Sequence, residues 1–558
     1  MASKISRRDF LRGGAAAFVG TMMFSGIASA EEATGMDSWE AFSDTVTLQI
    51  PVYDRGAEGV PDVSDNYWTQ WIQENFGDQY NINVEFVPIT RTDVMTDYAL
   101  LASSQSLPTI LMEYDYDKLA SWAVDGYLQE YDVEEFAKIA PTYYQNMIDN
   151  EQLGYIELAG GNYLATAERP YYNTGYTWIT WVREDWLEEV GWDHIPSGNS
   201  QDYLDAMTAI KEAGLADYPA GGAMLTGVGS DQTYGYRDFP QDGEHWAMYG
   251  DYQIPSLSSV ENRRLLKFEN QKYNLGLTNP EYYTIDTETE KSNFINGQTY
   301  GYSGYISSTI DWLESFYEQN PDATLAVVVQ NNELNDLGYA PAYRADNPFG
   351  MLIGFSSQAS EDEIKAAMMY MEWMSQEDVL FTMQWGIEGE TFNYGDDGLP
   401  VSVDYDAQPS DYKQGYNNSK DYWCVVIESK NAGTIEDTIT SNTPQNLPQN
   451  FTQEVIDNYY ARLESAEMGW AVSDCMFGDS LESVTEYQET LVNLYVELRD
   501  KLVTASEDDF DSLYEEYAQQ YLDAGYQEVI DERLALYQEG LTTTLPEYEN
   551  AVATEIED

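Results

Sequence analysis

His194 and His245 are the only histidines, and Cys424 and Cys475 the only cysteines, among 558 residues. Zinc hydrolases, serine-type hydrolases and thiol redox centres need these residue types at short, set spacings. No HExxH, GxSxG, GxxxxGK[ST] or CxxC is present. Each histidine therefore reads as an ordinary residue of a polar loop. In an oxidising compartment the cysteines could close a loop of about 50 residues, worth roughly 3–4 kcal/mol, or remain as two buried thiols. Carboxylates number 98 against 26 basic side chains, so close acids such as Glu113/Asp115 and Asp396/Asp397 arise by chance. A glycosidase pair must face across about 5–9 Å, which spacing along a chain does not show. Asn393, Asp396, Asp397 and Asp404 could hold calcium, but they meet no EF-hand pattern and read more readily as solvated turn groups. Neither a metal nor a cofactor is expected.

Aromatic side chains carry the clearer signal. Trp, Tyr and Phe make up 14% of the chain, and many stand in polar stretches. The apolar C–H faces of a sugar ring stack on such side chains, while its hydroxyls need convergent donors and acceptors. Tyr171, Tyr172, Trp246, Tyr302, Tyr305, Trp312 and Trp385 are the candidates, each of which could equally be a core residue. Arg169 and Arg237 stand out because cations are scarce, although either could pair with neighbouring acids.

These residues must be held by an α/β framework. Thr45–Val52 alternates toward Ile50 as a strand, Asp65–Phe76 follows as a helix, and Ile82–Val87 is a second strand. Thr92–Ser103 is helical, and Leu107–Met112 is a third strand. This order predicts a parallel, doubly covered sheet. Ligands bind beyond the carboxyl ends of such strands, which adds Asp54, Arg55, Glu113, Asp115 and Tyr116 to the candidates. Further on, Trp178–Val182 is strand-like, whereas Trp186, Leu187 and Val190 share a helical face with Gly191 as the stop. Helices are expected at Gln201–Ala213 and Val260–Asn274. Ser360–Glu363 is a capping box before a helix with Ile364, Met368, Met371 and Met374 along one side, and Ser375–Asp378 looks like a second box. Residues 451–540 are mostly amphipathic helix, with one helix capped at Ser506 and ending at Gly525.

Thr177–Gly191 reads Thr-Trp-Ile-Thr-Trp-Val-Arg-Glu-Asp-Trp-Leu-Glu-Glu-Val-Gly. It resembles the W-(I/V)-R-x-D-W-L-x-x-x-G signature of family 1 extracellular solute-binding proteins of bacterial ABC importers, the LipO-like type. Other segments follow in family order. Gly160–Pro170 is similar to G-x-x-Y-x-x-P, Leu275–Glu281 to Y-x-x-G-L-(I/T)-(D/N)-P-E, and Trp385–Glu390 to (Y/W)-G-(I/V)-E-G. An Asp397-Gly398 hairpin turn and two closing helices complete the pattern. Phe294–Gln298 resembles the segment that, in maltose-type relatives, leads to an aromatic stacked on sugar, and Tyr302 and Tyr305 hold the matching positions.

The resemblance implies a two-lobe type II periplasmic-binding-protein fold with a hinge between lobes and a C-terminal helical cap. The boundaries expected are a signal peptide at 1–30, a linker at 31–44, lobe 1 at 45–168, lobe 2 at 169–348 and a return through the hinge at 349–450. C-terminal helices at 451–545 and an acidic tail at 546–558 finish the chain. It also implies capture of an oligosaccharide by hinge closure, delivery to ABC permease membrane subunits, and no catalysis. Rivals are the same fold holding a peptide or polyol, and a secreted carbohydrate-active enzyme.

The N-terminus fits an exported protein. Ser6–Arg12 carries a twin-arginine pattern, Gly13–Ile27 is modestly apolar, and Ala28-Ser29-Ala30 suits cleavage. The cysteine that lipid-anchors most relatives is missing at that point. A formal net charge of −72 excludes nucleic acid and anionic lipid as partners, since such a field repels both. A monomer outside the cytoplasmic membrane is expected.

Overall fold

The computed structural model describes residues 34–56, 61–167, 169, 174, 178–196, 200–221, 243–250, 254–306, 312–330, 332, 343–345, 347–403, 407–413, 422, 430–443, 449–468, 470–472 and 474–542. The first sheet starts with β1 (Val46–Asp54), whose Val46, Leu48, Ile50 and Val52 are all buried. β1 pairs in parallel with β2 (Ile82–Thr90) from Val46↔Ile82 to Asp54↔Thr90. Between them, Asn66 makes a capping box at the head of the helix Tyr67–Ile72. β3 (Ile110–Glu113) lies beside β1, with Thr109 N donating to Gln49 O at 3.0 Å and Gln49 N to Thr109 Oγ1 at 3.0 Å.

The chain leaves this lobe through β4 (Leu164–Thr166) and returns through β8 (Leu352–Phe355), which runs antiparallel to both β3 and β4. The expected parallel pairing is kept by β1 and β2, whereas β3, β8 and β4 form a separate antiparallel sheet, because a strand arriving from the other lobe enters from the opposite side. The two crossing segments are tied together. Ala167 N donates to Met351 O at 2.8 Å, and Gly350 N to Ala167 O at 3.1 Å. Gln152, fully buried, donates its amide to the carbonyls of both Ala167 and Pro348 and accepts from Thr166 Oγ1 at 2.9 Å.

The Ser360 capping box is present. Its helix, Glu361–Met374, is buried on every side from Ala366 onward, not along one stripe, because it is wedged between β1 and the helices Val133–Ile139 and Pro141–Asp149. Glu372 inside it accepts from the first-turn amides Thr142 N and Tyr143 N at 2.8 and 3.1 Å, which satisfies a buried carboxylate and a helix start together. The second box is not formed. Ser375 Oγ donates back to Met371 O at 2.9 Å, and Gln376, with no side-chain cap, precedes the helix Glu377–Trp385.

The second lobe is built on β5 (Trp178–Arg183), flanked by antiparallel β6 (Gly301–Tyr305) and β7 (Leu325–Val327). The expected strand-to-helix switch occurs at Arg183, and the helix Glu184–Val190 stops at Gly191, whose φ of 81° suits glycine. Successive residues of β5 face opposite ways. Ile179 and Trp181 enter one core with Phe294, Tyr302, Trp312 and Phe316, and Val182 enters another with Leu204, Met207 and Ile210. Ile439, Phe451, Val455 and Tyr459 also belong to the first of these cores, and Val327 N donates to Glu454 Oε2 at 2.8 Å. The helices Ile435–Asn442 and Gln449–Glu467 thus pack against the second lobe's sheet.

The helices Glu482–Val503, Glu507–Tyr521 and Gln527–Glu539 form a further core with Trp246, Leu257, Leu266 and Tyr282. Gly525, expected to end a helix, sits at a kink with φ 121°, and the Tyr487 ring lies 2.5 Å from where a Cβ would stand. A side chain there would clash as well as strain the backbone.

Glu290 lies on the helix Thr287–Ile295, where burial pushes its carboxyl from an ordinary 4.5 up to about 7. Below the lower value it is protonated in both folded and unfolded chains, and above the upper value only the folded state holds a desolvated charge. Glu290→Gln is therefore expected to leave the melting temperature unchanged at about pH 4 and to raise it at about pH 8. An equal shift at both values would exclude burial of the charge as the cause.

Candidate functional site at the strand ends

Because β1 and β2 run in register, their carboxyl ends deliver Tyr53–Arg55 and Arg91 to one place, beside the end of β3. Tyr53 is buried, and its hydroxyl lies 2.8 Å from Met112 O and 3.0 Å from Glu113 Oε2. Tyr114 N donates to Glu113 Oε1 at 2.9 Å, and Arg91 Nη1 stands 3.8 Å from the same oxygen. Glu113, only 1% exposed, is thus a buried carboxylate held by a hydroxyl, an amide and a guanidinium.

The Arg91 guanidinium lies over two rings, 4.9 Å from the Tyr53 centroid and 5.6 Å from that of Tyr114. The rings themselves are tilted at 32° with centroids 6.1 Å apart. Arg55 also lies over Tyr53, at 5.3 Å. Two cation–π contacts restrain the Arg91 plane, its side chain is 37% exposed, and none of its N–H groups makes a hydrogen bond among the described residues. A planar set of five donors is therefore presented at the mouth of the strand ends.

Asp54 is exposed and accepts from Gly56 N at 2.9 Å, which shapes its own loop. Asp115 caps the helix Tyr116–Val124 by accepting from Asp117 N at 3.1 Å, with Lys118 at 3.6 Å. Burial raises the Asp115 carboxyl above the usual range, against the pull of Lys118 and with a further push from the Glu113 charge.

The other expected site residues are placed differently. Tyr116 is a core residue, 2% exposed, packed edge-on to Tyr155 and bonded through its hydroxyl to Glu157 O at 3.1 Å. Tyr302 is sandwiched between Trp181 and Phe294, at 6.2 and 5.8 Å, and Trp312 is buried against the same cluster. Trp246 is fully buried beneath the C-terminal helices. Trp385 is buried as well, its indole donating to Asn431 O at 2.7 Å. Lys430 Nζ lies 4.9 Å over that indole, and burial pushes its ammonium down to about 8. These aromatics therefore stabilise the lobes, and the strand ends do not bring them together.

Arg169 is half-buried in the crossing segment. The Tyr305 backbone lies opposite Trp178 at the edge of the second lobe's sheet. Its side chain, together with Tyr171, Tyr172, Arg237, Asp404 and Cys424, lies outside the described residues, while Cys475 is buried. His245 lies on the helix Gly243–Tyr249, not in a loop, and pairs with Glu261 at 2.7 Å. His194 contacts Asp193 and Asp202. Among the described residues no group of three or more His, Cys, Asp or Glu is placed to hold a metal ion, and no helix is long and apolar enough to cross a membrane.

Tyr114 lies in the candidate loop Glu113–Tyr116, whereas sequence reasoning missed Arg91 and Trp178. Arg91 follows β2 directly, so the strand-end rule applied to that strand as well would have found it. Trp178 was read as a buried strand residue, yet it is 48% exposed, because it opens β5 where the chain has only just entered the lobe.

Two sheet-based lobes joined by paired crossing segments, with polar strand ends open on one of them, define a solute-binding class of protein. Residues 71–390 match the bacterial extracellular solute-binding protein family, and the chain belongs to that family. It is a solute-binding protein of the ABC-transporter type. Among curated proteins none matches the chain.

Solved structures show the same fold at low identity. An extracellular solute-binding protein from Bifidobacterium longum subsp. infantis is 13% identical with a TM-score of 0.59, over 90% of this chain and 99% of that one. The alginate-binding protein AlgQ2 without calcium ion is 14% identical with a TM-score of 0.55, over 89% and 99%. The substrate-binding protein FusA of S. pneumoniae, in complex with kestose, is 12% identical with a TM-score of 0.55, over 88% and 99%.

Proposed function

We propose that this protein is the substrate-binding component of an ABC importer and captures an oligosaccharide between its lobes. The observation that carries the reading is the strand-end cluster, where the half-exposed Arg91 guanidinium lies over Tyr53 and Tyr114, with Nη1 3.8 Å from Glu113 and no hydrogen bond from the guanidinium to any described residue. The half-buried Tyr114 ring beside convergent polar groups suits a sugar ring and its hydroxyls. Trp178, 48% exposed, and Tyr305, its partner in the backbone register, are proposed as the facing wall. Ligand contacts to both walls favour the closed form, since closure gains only what the ligand binds more tightly there. The closed monomer then docks on permease subunits of the membrane, after export through the twin-arginine signal in residues 1–30.

Neighbours of this fold include an alginate-binding protein and a substrate-binding protein in complex with kestose, which supports a carbohydrate ligand over a peptide. Thermal melting of residues 31–558 against neutral and acidic oligosaccharides, peptides and polyols tests the reading. A ligand that binds only the folded state at a hundredfold excess over its Kd adds about 2.7 kcal/mol. An oligosaccharide that raises the midpoint and is recovered intact supports a receptor. A sugar recovered in shorter pieces would make the protein an enzyme, and a response to peptides alone would move the substrate class. On the same reading, Tyr305→Ala should weaken sugar binding by about 1–3 kcal/mol in calorimetric titration. Unchanged affinity in a folded variant would remove Tyr305 from the site.

A further inference from the structure

Resting on that carbohydrate reading, we infer that the strand-end cluster takes an uncharged sugar and rejects one bearing carboxylates, and that Arg91 is the residue that reads its hydroxyls. The charge around Arg91 is already balanced. Glu113 stands 3.8 Å from the guanidinium and is buried. Asp97 accepts from Thr90 N at 2.7 Å, one residue before Arg91. Asp54 lies opposite Thr90 in the strand register, and Asp115 follows Glu113 by two residues. The strand ends and the residues next to them thus carry four carboxylates and three cations, Arg55, Arg91 and Lys118.

A uronate carboxylate brought to Arg91 would have to share it with Glu113 and approach the other three acids. It is also acceptor-only, so it offers nothing to the carboxylates around it. A hydroxyl both donates and accepts. A pair of sugar hydroxyls can accept hydrogen bonds from the guanidinium and donate one to the exposed Asp54 carboxylate, so that donors and acceptors are matched without added charge. The field of a chain with net charge −72 acts in the same direction by repelling anions before they arrive. The raised Asp115 carboxyl is a further sign that negative charge is already costly here. This sets the protein apart from the alginate-binding neighbour that shares its fold.

The test is calorimetric titration of residues 31–558 with neutral trisaccharides, kestose and maltotriose included, and with alginate trisaccharide, on the parent protein and on Arg91→Met, Arg91→Lys and Asp54→Asn. The expected result is binding of a neutral sugar, weakened about tenfold to a hundredfold by Arg91→Met and partly restored by Arg91→Lys. Alginate trisaccharide should not bind the parent protein, and Asp54→Asn should move the ratio of the two affinities toward it. Should Arg91→Met fail to fold by circular dichroism, Arg91→Lys and Asp54→Asn carry the same comparison. Tighter binding of the acidic sugar would overturn this inference and leave the carbohydrate reading standing. Neutral sugar binding indifferent to both Arg91 variants would overturn the role of Arg91. A chain that binds neither class of sugar would overturn the carbohydrate reading itself.

Discussion

Trp181→Ala is expected to lower the stability of the second lobe by about 3–5 kcal/mol, the range for removing a large aromatic from a packed core. Trp181 is fully buried in the central strand of the sheet. It stacks on Tyr302 with 15° between planes and meets Trp312 edge-on at 5.1 Å. Truncation would leave a cavity that Tyr302, Phe294 and Trp312 fill only by giving up their own contacts. The indole N–H has no hydrogen-bond partner among the described residues, so Trp181→Phe removes an unsatisfied donor along with some volume. It should cost less than about 2 kcal/mol. Urea unfolding of both variants checks this. Equal losses for alanine and phenylalanine would mean that the polar edge of the indole matters more than its area.

Gln152→Leu is expected to cost about 2–4 kcal/mol, because it strands buried polar groups and keeps the volume. The Pro348 carbonyl and Thr166 Oγ1 lose their partner, and Ala167 O keeps only the Gly350 amide. The damage falls on both segments by which the chain crosses between lobes. Hydrogen exchange of the Ala167 and Gly350 amides should therefore accelerate more than exchange in β1, whose pairing with β2 is untouched. Uniform acceleration along the chain would show that Gln152 supports the lobe in general, not the crossing segments. Ligand affinity measured on the same variant would report whether those segments set the cost of closure.

Much of the framework was legible because its signals are local. The strand-to-helix switch at Arg183, the stop at Gly191 and the Ser360 box follow from near neighbours, as do the faces of Gln201–Glu212 and Val260–Asn274. The candidate site was legible only in part. Beyond the strand ends, Asp54, Arg55, Glu113 and Asp115 were found because chain order alone implied where a parallel pair of strands would deliver them. Arg91 follows β2 and was open to the same rule, but its placement against Glu113 depends on a third strand.

The aromatics mark the limit. Tyr302 was chosen for its place in a motif, but the packing of β6 turns it into the core with Trp181 and Phe294. Trp385, Trp246 and Tyr116 were polar-context aromatics whose covering elements lie far along the chain, at Asn431, the C-terminal helices and Glu157. Composition alone indicated an acidic α/β chain with abundant stacking surface and no histidine-, cysteine- or motif-based catalytic centre. Tertiary structure decided which faces are covered, that the helices Ile435–Asn442 and Gln449–Glu467 pack on the second lobe, and that one guanidinium lies over two tyrosines at the strand ends. The physical reason is range: helix caps and strand alternation are set by residues a few positions apart, whereas burial of a ring and placement of a charge depend on partners brought together only when the lobes fold.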